Sequence, residues 1–403
     1  MKKNLLIIFM MQAVFVCGCV ATQNTHSLPA EMQPGQIKSI MAKVADWQLA
    51  NPSKHHTADW THAALFAGMT AWAQMADSDI YYDALLGFGE KNNWQPHKRK
   101  YHADDHAVAQ MYIELYKKYR DPKMIAGIQQ RFDWILANQP DTPLTHDKRE
   151  HKKRYNWCDA LFMAPPVWAK LGRITGQTKY LDYMNKEWWV TTDYLYDTKE
   201  HLYFRDDRYF SKREANGEKV FWSRGNGWVL GGYVRVLEEL PEDHPDRPRY
   251  EKIYKEMAAK ILAIQPAEGL WHSSLLDPVN FPSKEASGSG FYCYGLAWGI
   301  NHGLLDEAKY LPAVMKAWTG LVDCVHPDGK LGFVQPIGAD PRHVTADQTE
   351  IYGVGSFLLA GSEVYKLAIR KGAPVKQIIV TNPAAIFRDN ETVSVNWEDA
   401  KKA

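Results

Sequence analysis

The sequence alternates between two kinds of helical segment, and this alternation restricts the fold more than any other feature. Helical periodicity runs from about residue 36 to residue 368. Every second segment carries apolar and small residues on nearly all faces, as in GWVLGGYVRVL and GFYCYGLAWGI. A helix that is apolar all round must be buried. The intervening segments, such as RYEKIYKEMAAKILAI, have one polar face and are expected to lie outside the buried ones.

The pattern predicts twelve helices, joined in pairs by short turns. They are expected near residues 36–49, 60–76, 79–92, 104–119, 122–138, 157–173, 178–195, 225–240, 246–264, 289–303, 307–324 and 348–368. Six inner and six outer helices in alternation describe an all-α fold, the (α/α)6 barrel of six helical hairpins. One barrel over residues 36–370 accounts for most of the 403 residues, although a chain of this length commonly divides into several domains.

Both ends of the chain are predicted to lie outside the barrel. Two lysines after Met1 and an apolar run over 5–16 are typical of an export signal, and the run is too short for a transmembrane helix. The run ends in VCGC, which resembles the bacterial lipobox and implies lipidation of Cys19. A plain signal peptide cut elsewhere is the alternative.

We therefore expect a lipoprotein signal peptide over 1–18 and a tether over 19–35. Such a protein would be exported to the periplasm or the outer membrane and would contact the membrane only through its N-terminal lipid. Two strand-like runs in 371–403 predict a short C-terminal β-hairpin.

The composition narrows the class of ligand. The chain is rich in Trp and Tyr, with 15 and 21 residues, and the polar groups of these side chains need hydrogen-bond partners. Such a composition suggests clefts lined by aromatic residues, which often bind sugars. A net charge of +1 gives no basic field for nucleic acid, so no nucleic-acid partner is expected. Beyond the signal, Cys158, Cys293 and Cys324 are too widely spaced for a disulfide framework and are expected to be buried free thiols.

In such a barrel the N-terminal ends of the inner helices converge on one mouth. Helix N-termini favour anions, and an arginine can grip a carboxylate with two parallel hydrogen bonds, so this mouth suits a carboxylate-bearing ligand. Two of the tryptophans there could stack on a sugar ring, with core packing as the alternative for one of them. The candidate substrate contacts are Trp60, His102, Trp157, Trp222, Arg224 and Trp228.

Asp159 is the first candidate for acid catalysis. It lies in YNWCDALFMAPP, and an apolar setting raises the pKa of a carboxyl group, as a general acid near neutral pH requires. The N-terminus of the following helix favours ionisation, so the sequence leaves the direction of the shift open. A helix N-cap is the alternative role for Asp159.

Asp104 and Asp105 open another inner helix. One of them could cap this helix while the other points into the cleft. His102, Asp104 and His106 could suggest a metal site, but their spacing fits no standard site, and neither a metal nor a cofactor is expected.

Several motifs, taken in order, resemble glycoside hydrolase family 105, the unsaturated rhamnogalacturonyl hydrolases, which are related to the unsaturated glucuronyl hydrolases of family 88. The resemblance spans about residues 36–368 and implies an (α/α)6 barrel. The motifs are ADDHAVAQMYIELY, WCDALFMAPPVWAKLG, WSRGNGWVLGG, GLWHSSLLDP, ASGSGFYCYGLAWGI and DQTEIYGVGSFLLAGSEVY.

The resemblance implies removal of a terminal 4,5-unsaturated uronic acid from lyase-generated, pectin-type (rhamnogalacturonan) oligosaccharides. It also implies that the reaction hydrates the C4=C5 bond and does not attack the anomeric carbon directly. An aspartic acid protonates C4, water adds at C5, and the resulting hemiketal opens and expels the aglycone.

The same resemblance implies roles for individual residues. Asp159 matches the acid/base aspartate of the family. A second aspartate falls in the ADDH stretch, where Asp105 is the first choice and Asp104 the second.

Arg224 and Trp228 match a family segment that holds the substrate carboxylate and the sugar face. Arg205 stands where many relatives carry a histidine, so the contacts around the uronate remain open. Two other classes also remain open: an inverting glycosidase or sugar epimerase on the same barrel, and a non-catalytic, lipid-anchored glycan-binding protein. Loss of the ultraviolet absorbance of the C4=C5 bond would separate the hydrolase from both.

Overall fold

The computed structural model describes residues 28–146 and 153–372, and its helices form two concentric rings. In chain order they are α1 (Pro34–Ala50), α2 (Trp60–Ala73), α3 (Ile80–Lys91), α4 (Ala103–His106), α5 (Ala109–Tyr119), α6 (Lys123–Ala137), α7 (Ala160–Met163), α8 (Pro165–Thr175), α9 (Thr178–Leu195), α10 (Ser223–Leu237), α11 (Arg247–Ala263), α12 (Ala286–Asn301), α13 (Glu307–Val322) and α14 (Ile351–Gly372). The outer ring comprises α1, α3, α6, α9, α11 and α13, and the other helices form the inner ring. The predicted (α/α)6 barrel is confirmed.

Apolar character decides which helices lie inside. Every residue of α10 is buried, and so is every residue of α12 from Ala286 to Ile300. The outer helix α11 instead buries one side, through residues such as Tyr250, Tyr254 and Met257. This difference follows from the sequence pattern, because an outer helix needs an apolar face only toward the inner ring. Cys158, Cys293 and Cys324 are buried free thiols, as predicted.

The ring closes where the first inner helix, α2, packs against the last, α14. Glycines allow the two backbones to approach closely. A Cβ atom added to Gly355 would lie 2.1 Å from the carbonyl oxygen of Ala64, and one added to Gly68 would lie 2.2 Å from the carbonyl oxygen of Gly355. Any side chain at these positions would therefore force the two helices apart.

Replacing Gly355 with alanine should destabilise the protein, because the added methyl group meets backbone and not a flexible side chain. We expect the free energy of unfolding to fall by about 1–3 kcal/mol despite the better helix propensity of alanine. Urea denaturation measures this change. Gly87→Ala on α3 is the matched control, since a Cβ atom there meets nothing within 4 Å, and this variant should be as stable as the wild type or more so. Equal effects of the two substitutions would contradict the steric explanation.

Two inner helices predicted as continuous are interrupted. The helix expected over 157–173 begins at Ala160 and breaks at Ala164, because Pro165 and Pro166 lack the N–H groups that would continue the hydrogen-bond ladder. The helix expected over 104–119 breaks around residues 107–108, where backbone hydrogen bonds tighten to the i→i+3 pattern.

The loop from 196 to 222 contains a small hairpin that the sequence did not predict. Strands β1 (Tyr196–Asp197) and β2 (Leu202–Tyr203) pair antiparallel, with Tyr196 opposite Tyr203. The predicted signal peptide, Cys19 and nearly all of the predicted C-terminal hairpin lie outside the described residues. Within the described part of the chain, the helices lack the length and apolar character needed to cross a membrane.

Candidate active site

Asp159 lies directly before α7, in a segment positioned by the proline break. Because Pro166 has no N–H group, the carbonyl of Phe162 lacks its helical donor and instead accepts a hydrogen bond from Gln110 Nε2 at 2.9 Å. The Asp159 side chain accepts no capping hydrogen bond from the described residues. The Asp159 side chain is largely buried, with 12% of its surface exposed. The geometry does not support the alternative that Asp159 is only an N-cap.

Arg205 is the nearest cation to Asp159 in the described chain. Its Nε atom lies 3.5 Å from Asp159 Oδ2, and the Cys158 thiol donates to the same oxygen at 3.5 Å. Burial opposes the charge on Arg205, but the carboxylates of Asp159 and Asp206 raise the pKa of its guanidinium above the ordinary value. The position where relatives commonly carry a histidine therefore places a permanent cation beside the candidate acid.

Two backbone connections hold Arg205 beside Asp159. The Cys158 N–H donates to the carbonyl of Arg205 at 2.9 Å. The Asn226 side chain binds both backbone groups of Tyr203, accepting from its N–H at 2.7 Å and donating to its carbonyl at 3.0 Å. Asn226 thus pairs with the Tyr203 backbone as a neighbouring strand would. This pairing fixes the segment that carries Arg205.

Asp206 completes a charge cluster behind Arg205. Its buried carboxylate accepts from Arg205 Nη1 at 2.6 Å and from Arg208 Nε at 2.8 Å. Burial alone would raise the pKa of Asp206, but Arg208 and Arg205 lower it to about 2. Asp206 therefore remains an anion and restrains the guanidinium of Arg205.

Arg224 is more deeply buried than its predicted role suggests. Its Nη1 and Nη2 atoms donate to the carbonyls of Gln335 and Pro336 at 2.7 and 3.0 Å. Its guanidinium also lies over the rings of Trp222 and Tyr352, at 4.5 and 4.8 Å. Both terminal nitrogens therefore already have acceptors, and a direct grip on a substrate carboxylate by Arg224 stays a prediction.

Gln335 is a residue of the mouth that the sequence analysis missed. Its side-chain oxygen accepts from Trp222 Nε1 at 3.1 Å, and its carbonyl accepts from the Tyr352 hydroxyl at 2.6 Å. Its N–H donates to Glu285 at 3.2 Å. A single glutamine in a loop gives no sequence signal of such a role, because its partners come from three separate segments.

Several inner-helix N-termini are already capped by the chain itself. Glu285 is fully buried and accepts from the N–H groups of Ser287 and Gly288 at the start of α12, at 3.0 and 2.7 Å. Asp59 caps α2 by accepting from the Thr61 N–H at 3.0 Å. These ends are therefore less available to an anionic ligand than the sequence suggested. Arg205 becomes the stronger candidate for binding such a ligand.

Aromatic rings line the interior below the mouth. Trp60 is partly exposed and stacks on Tyr352 with ring centroids 5.2 Å apart. Trp228 is buried and packs against Phe162 and Phe291 at 4.9 and 4.5 Å. Trp60 is thus the more accessible of the two rings, whereas the contacts of Trp228 are those of a core residue.

The two aspartates of the ADDH stretch have different surroundings. Asp105 is buried and accepts from the Arg99 N–H at 2.6 Å and from Arg99 Nε at 3.0 Å. Asp104 is partly exposed, and its Oδ2 lies 3.6 Å from His102 Nδ1. The structure therefore pairs the first choice, Asp105, with Arg99, and the side chain of the second, Asp104, is the more exposed of the two, at 15% against 2%.

The histidines of this stretch have structural contacts. His102 Nδ1 accepts from the Asp104 N–H at 3.3 Å and thereby caps α4, while the His102 ring lies 5.1 Å from that of Trp157. His106 Nε2 lies 2.7 Å from the carbonyl of Lys100, and burial lowers the pKa of His106 to about 4. Within the described ranges, no group of three or more His, Cys, Asp or Glu side chains is arranged to hold a metal ion.

Comparisons with known proteins agree with this architecture. The model of Glycosyl Hydrolase Family 88 matches residues 35–368. An "Unsaturated 3S-rhamnoglycuronyl hydrolase" of Formosa agariphila is 42% identical over 87% of this chain and 97% of its own length. A protein of the same name from an Alteromonas species is 36% identical, over 84% of this chain and 88% of its own length.

Solved structures show the same fold. A glycosyl hydrolase family 88 protein from Bacteroides vulgatus superposes with a TM-score of 0.76 at 29% identity, covering 83% of this chain and 99% of that protein. A chain described as a polysaccharide lyase superposes with a TM-score of 0.75 at 33% identity, covering 83% of this chain and 98% of its own. The family match spans nearly the whole barrel, and the predicted resemblance is confirmed: the chain belongs to glycosyl hydrolase family 88.

Proposed function

We propose that this protein removes a terminal unsaturated uronic acid from oligosaccharides by hydrating the C4=C5 bond. The observation that carries the proposal is the pairing of Asp159 with Arg205 at the mouth, 3.5 Å apart. A cation beside the acid suits this chemistry, because the same sugar ring presents both the C4=C5 bond and a carboxylate. The relatives named unsaturated 3S-rhamnoglycuronyl hydrolases support the same class of substrate.

The proposed reaction begins with proton transfer from Asp159. The uronate carboxylate binds Arg205, which holds the C4=C5 bond of the same sugar ring beside Asp159. Asp159 then protonates C4, and positive charge develops at C5 and the ring oxygen. Water adds at C5 and loses its proton to the Asp159 carboxylate. The hemiketal that results opens and releases the aglycone.

We assign the second carboxylate of the site to Asp104, which reverses the order suggested by the sequence. The assignment is supported by exposure, since the Asp104 side chain is 15% exposed and that of Asp105, which accepts from Arg99, only 2%. Asp104 would orient the attacking water or a substrate hydroxyl. Trp60 would lie against the face of a sugar ring, as the accessible aromatic residue at the mouth.

The substrate is expected to contain rhamnose beside the unsaturated uronate. The two relatives named unsaturated 3S-rhamnoglycuronyl hydrolases match most of this chain. An unsaturated rhamnogalacturonyl hydrolase of Bacillus subtilis is 25% identical over only 44% of it. Rhamnoglycuronyl oligosaccharides should therefore be better substrates than the pectin-type ones suggested by the sequence.

An absorbance assay tests the function. The purified protein is mixed with lyase-generated oligosaccharides of both classes, and the ultraviolet absorbance of the C4=C5 bond is followed. We expect this absorbance to disappear. A polysaccharide lyase would increase the absorbance. A glycosidase, an epimerase or a binding protein would leave the absorbance unchanged. Either result would contradict the proposal.

Export as a lipoprotein is a separate proposal. It is supported by the lysines, the apolar run and the VCGC sequence near the N-terminus. The mature chain would be anchored through Cys19 in the periplasm or at the outer membrane. Cys19→Ala should abolish incorporation of labelled fatty acid, and retention of the label would contradict the assignment.

A further inference from the structure

The thiol of Cys158 contacts the candidate acid, and the reaction proposed above gives this thiol no role. Cys158 is fully buried directly before Asp159, and its Sγ donates to Asp159 Oδ2 at 3.5 Å. Arg205 Nε lies 3.5 Å from the same oxygen. Within residues 28–146 and 153–372, no hydrogen bond reaches the other carboxyl oxygen, Oδ1. The two oxygens of the acid therefore have different surroundings.

We propose that Cys158 is a positioning residue, whose thiol holds Asp159 Oδ2 as a hydrogen-bond acceptor and leaves the transferable proton on Oδ1. The proposal rests on the function assigned to Asp159 above. An oxygen that faces two donors is a poor place for a proton, because its O–H group would meet the positive end of each donor. The oxygen without donors is then the one that protonates C4.

The thiol remains a donor over the working pH range. Burial, together with the negative charge of Asp159, raises the pKa of Cys158 well above its ordinary value, and Arg205 opposes this shift. A thiolate would have no hydrogen to donate and would repel the neighbouring carboxylate. Cys158 therefore acts on Asp159 as a neutral donor and takes no part in the proton transfer itself.

Backbone and packing contacts hold the thiol in place. The Cys158 N–H donates to the carbonyl of Arg205 at 2.9 Å, so Cys158 contacts both partners of the acid–cation pair. Gly225 leaves room for the sulfur, since a Cβ atom added there would lie 3.2 Å from Sγ and 3.0 Å from the ring of Trp222. The position of the thiol is thus set by its surroundings and not by the carboxyl group alone.

Infrared spectroscopy of the full-length protein tests the hydrogen bond without any need for turnover. Subtracting the spectrum of Cys158→Ala from that of the wild type isolates the S–H stretching band of Cys158, and Cys293→Ala isolates that of Cys293. Donation to a carboxylate lowers this frequency, so the Cys158 band should lie below that of Cys293, whose Sγ is 4.0 Å from the Val314 carbonyl. In Asp159→Asn the Cys158 band should move to higher frequency, because a neutral amide is a weaker acceptor.

Kinetics tests the consequence for catalysis. Cys158→Ala should lower kcat by about threefold to tenfold and leave KM within about twofold, because both oxygens of a less fixed acid then share the proton. The alkaline limb of the pH profile of kcat/KM should move to higher pH, since the ionised acid has lost a donor. Cys158→Ser keeps a donor and should retain kcat within about twofold. Cys293→Ala, the same change at another buried thiol, should keep the wild-type kcat and pH profile.

The two measurements separate this role from the function on which it rests. A Cys158 band at or above that of Cys293, wild-type kcat and pH profile in Cys158→Ala, or equal losses in Cys158→Ala and Cys158→Ser would each overturn the proposal. A wild type that leaves the absorbance of the C4=C5 bond unchanged would overturn the function and this role together, while the infrared band would still decide the hydrogen bond. If Cys158→Ala does not fold, Cys158→Val, which also lacks a donor, replaces it in both measurements.

Discussion

Replacing Asp159 with asparagine is expected to lower kcat by about 10²–10⁴-fold, the usual contribution of a general acid. Asparagine has nearly the same shape but cannot donate a proton to C4. The barrel should stay folded, because Arg205 keeps its hydrogen bond to Asp206 and the Asp159 side chain caps no helix. Initial rates of absorbance loss with an unsaturated oligosaccharide measure the effect.

The matched control is Asp182→Asn, the same chemical change on an exposed position of the outer helix α9. It should retain wild-type kcat. Substrate binding to Asp159→Asn, measured by calorimetry, should remain within a few-fold of the wild-type KM. Near-normal turnover in Asp159→Asn would remove this residue from the acid role and leave Asp104 as the next candidate.

Replacing Arg205 with glutamine is expected to lower kcat/KM by between about tenfold and about a hundredfold, mainly through KM. The variant loses one charge-assisted hydrogen bond to the substrate carboxylate, and such bonds contribute about 1.5–3 kcal/mol. Its fold should persist, because Asp206 keeps its hydrogen bonds to Arg208. Complete progress curves at several substrate concentrations separate KM from kcat.

Arg205→Lys is the control for charge. Lysine keeps the cation but loses the planar fork, so its kcat/KM should fall between those of the wild type and the glutamine variant. If Arg224 holds the carboxylate instead, Arg205→Gln would leave KM unchanged. This outcome would return the carboxylate site to the segment of Arg224 and Trp228, as the family resemblance implied.

The sequence predicted the barrel well because burial alone determines which helices lie inside. The apolar character of α10 and α12 appears directly in their residues, and no other feature is needed to place them in the inner ring. The predicted starts of the helices were less accurate. The helix that follows Asp159 begins at Ala160, three residues later than expected, because backbone hydrogen bonds over residues 157–162 follow the tighter i→i+3 pattern.

The candidate site was predicted less completely, since its electrostatics depend on partners distant in sequence. Arg205 appeared only as a departure from a family pattern, yet the structure places it against Asp159. Arg224 was expected to face a ligand, but carbonyls of the loop at 335–336 occupy its terminal nitrogens. Neither contact could be predicted from local spacing, because each joins segments that are separated in sequence and meet only in the folded protein.

The contact between α2 and α14 also has a consequence for how the protein reaches its native state. Gly68 and Gly355 lie near opposite ends of the described chain, and their helices must meet before either apolar surface is fully covered. Neighbouring helical hairpins can associate early through local contacts, but ring closure waits for the last helix to be synthesised. Until then the incomplete barrel is an open arc that exposes apolar surface at both edges, which makes the partly folded chain prone to aggregation.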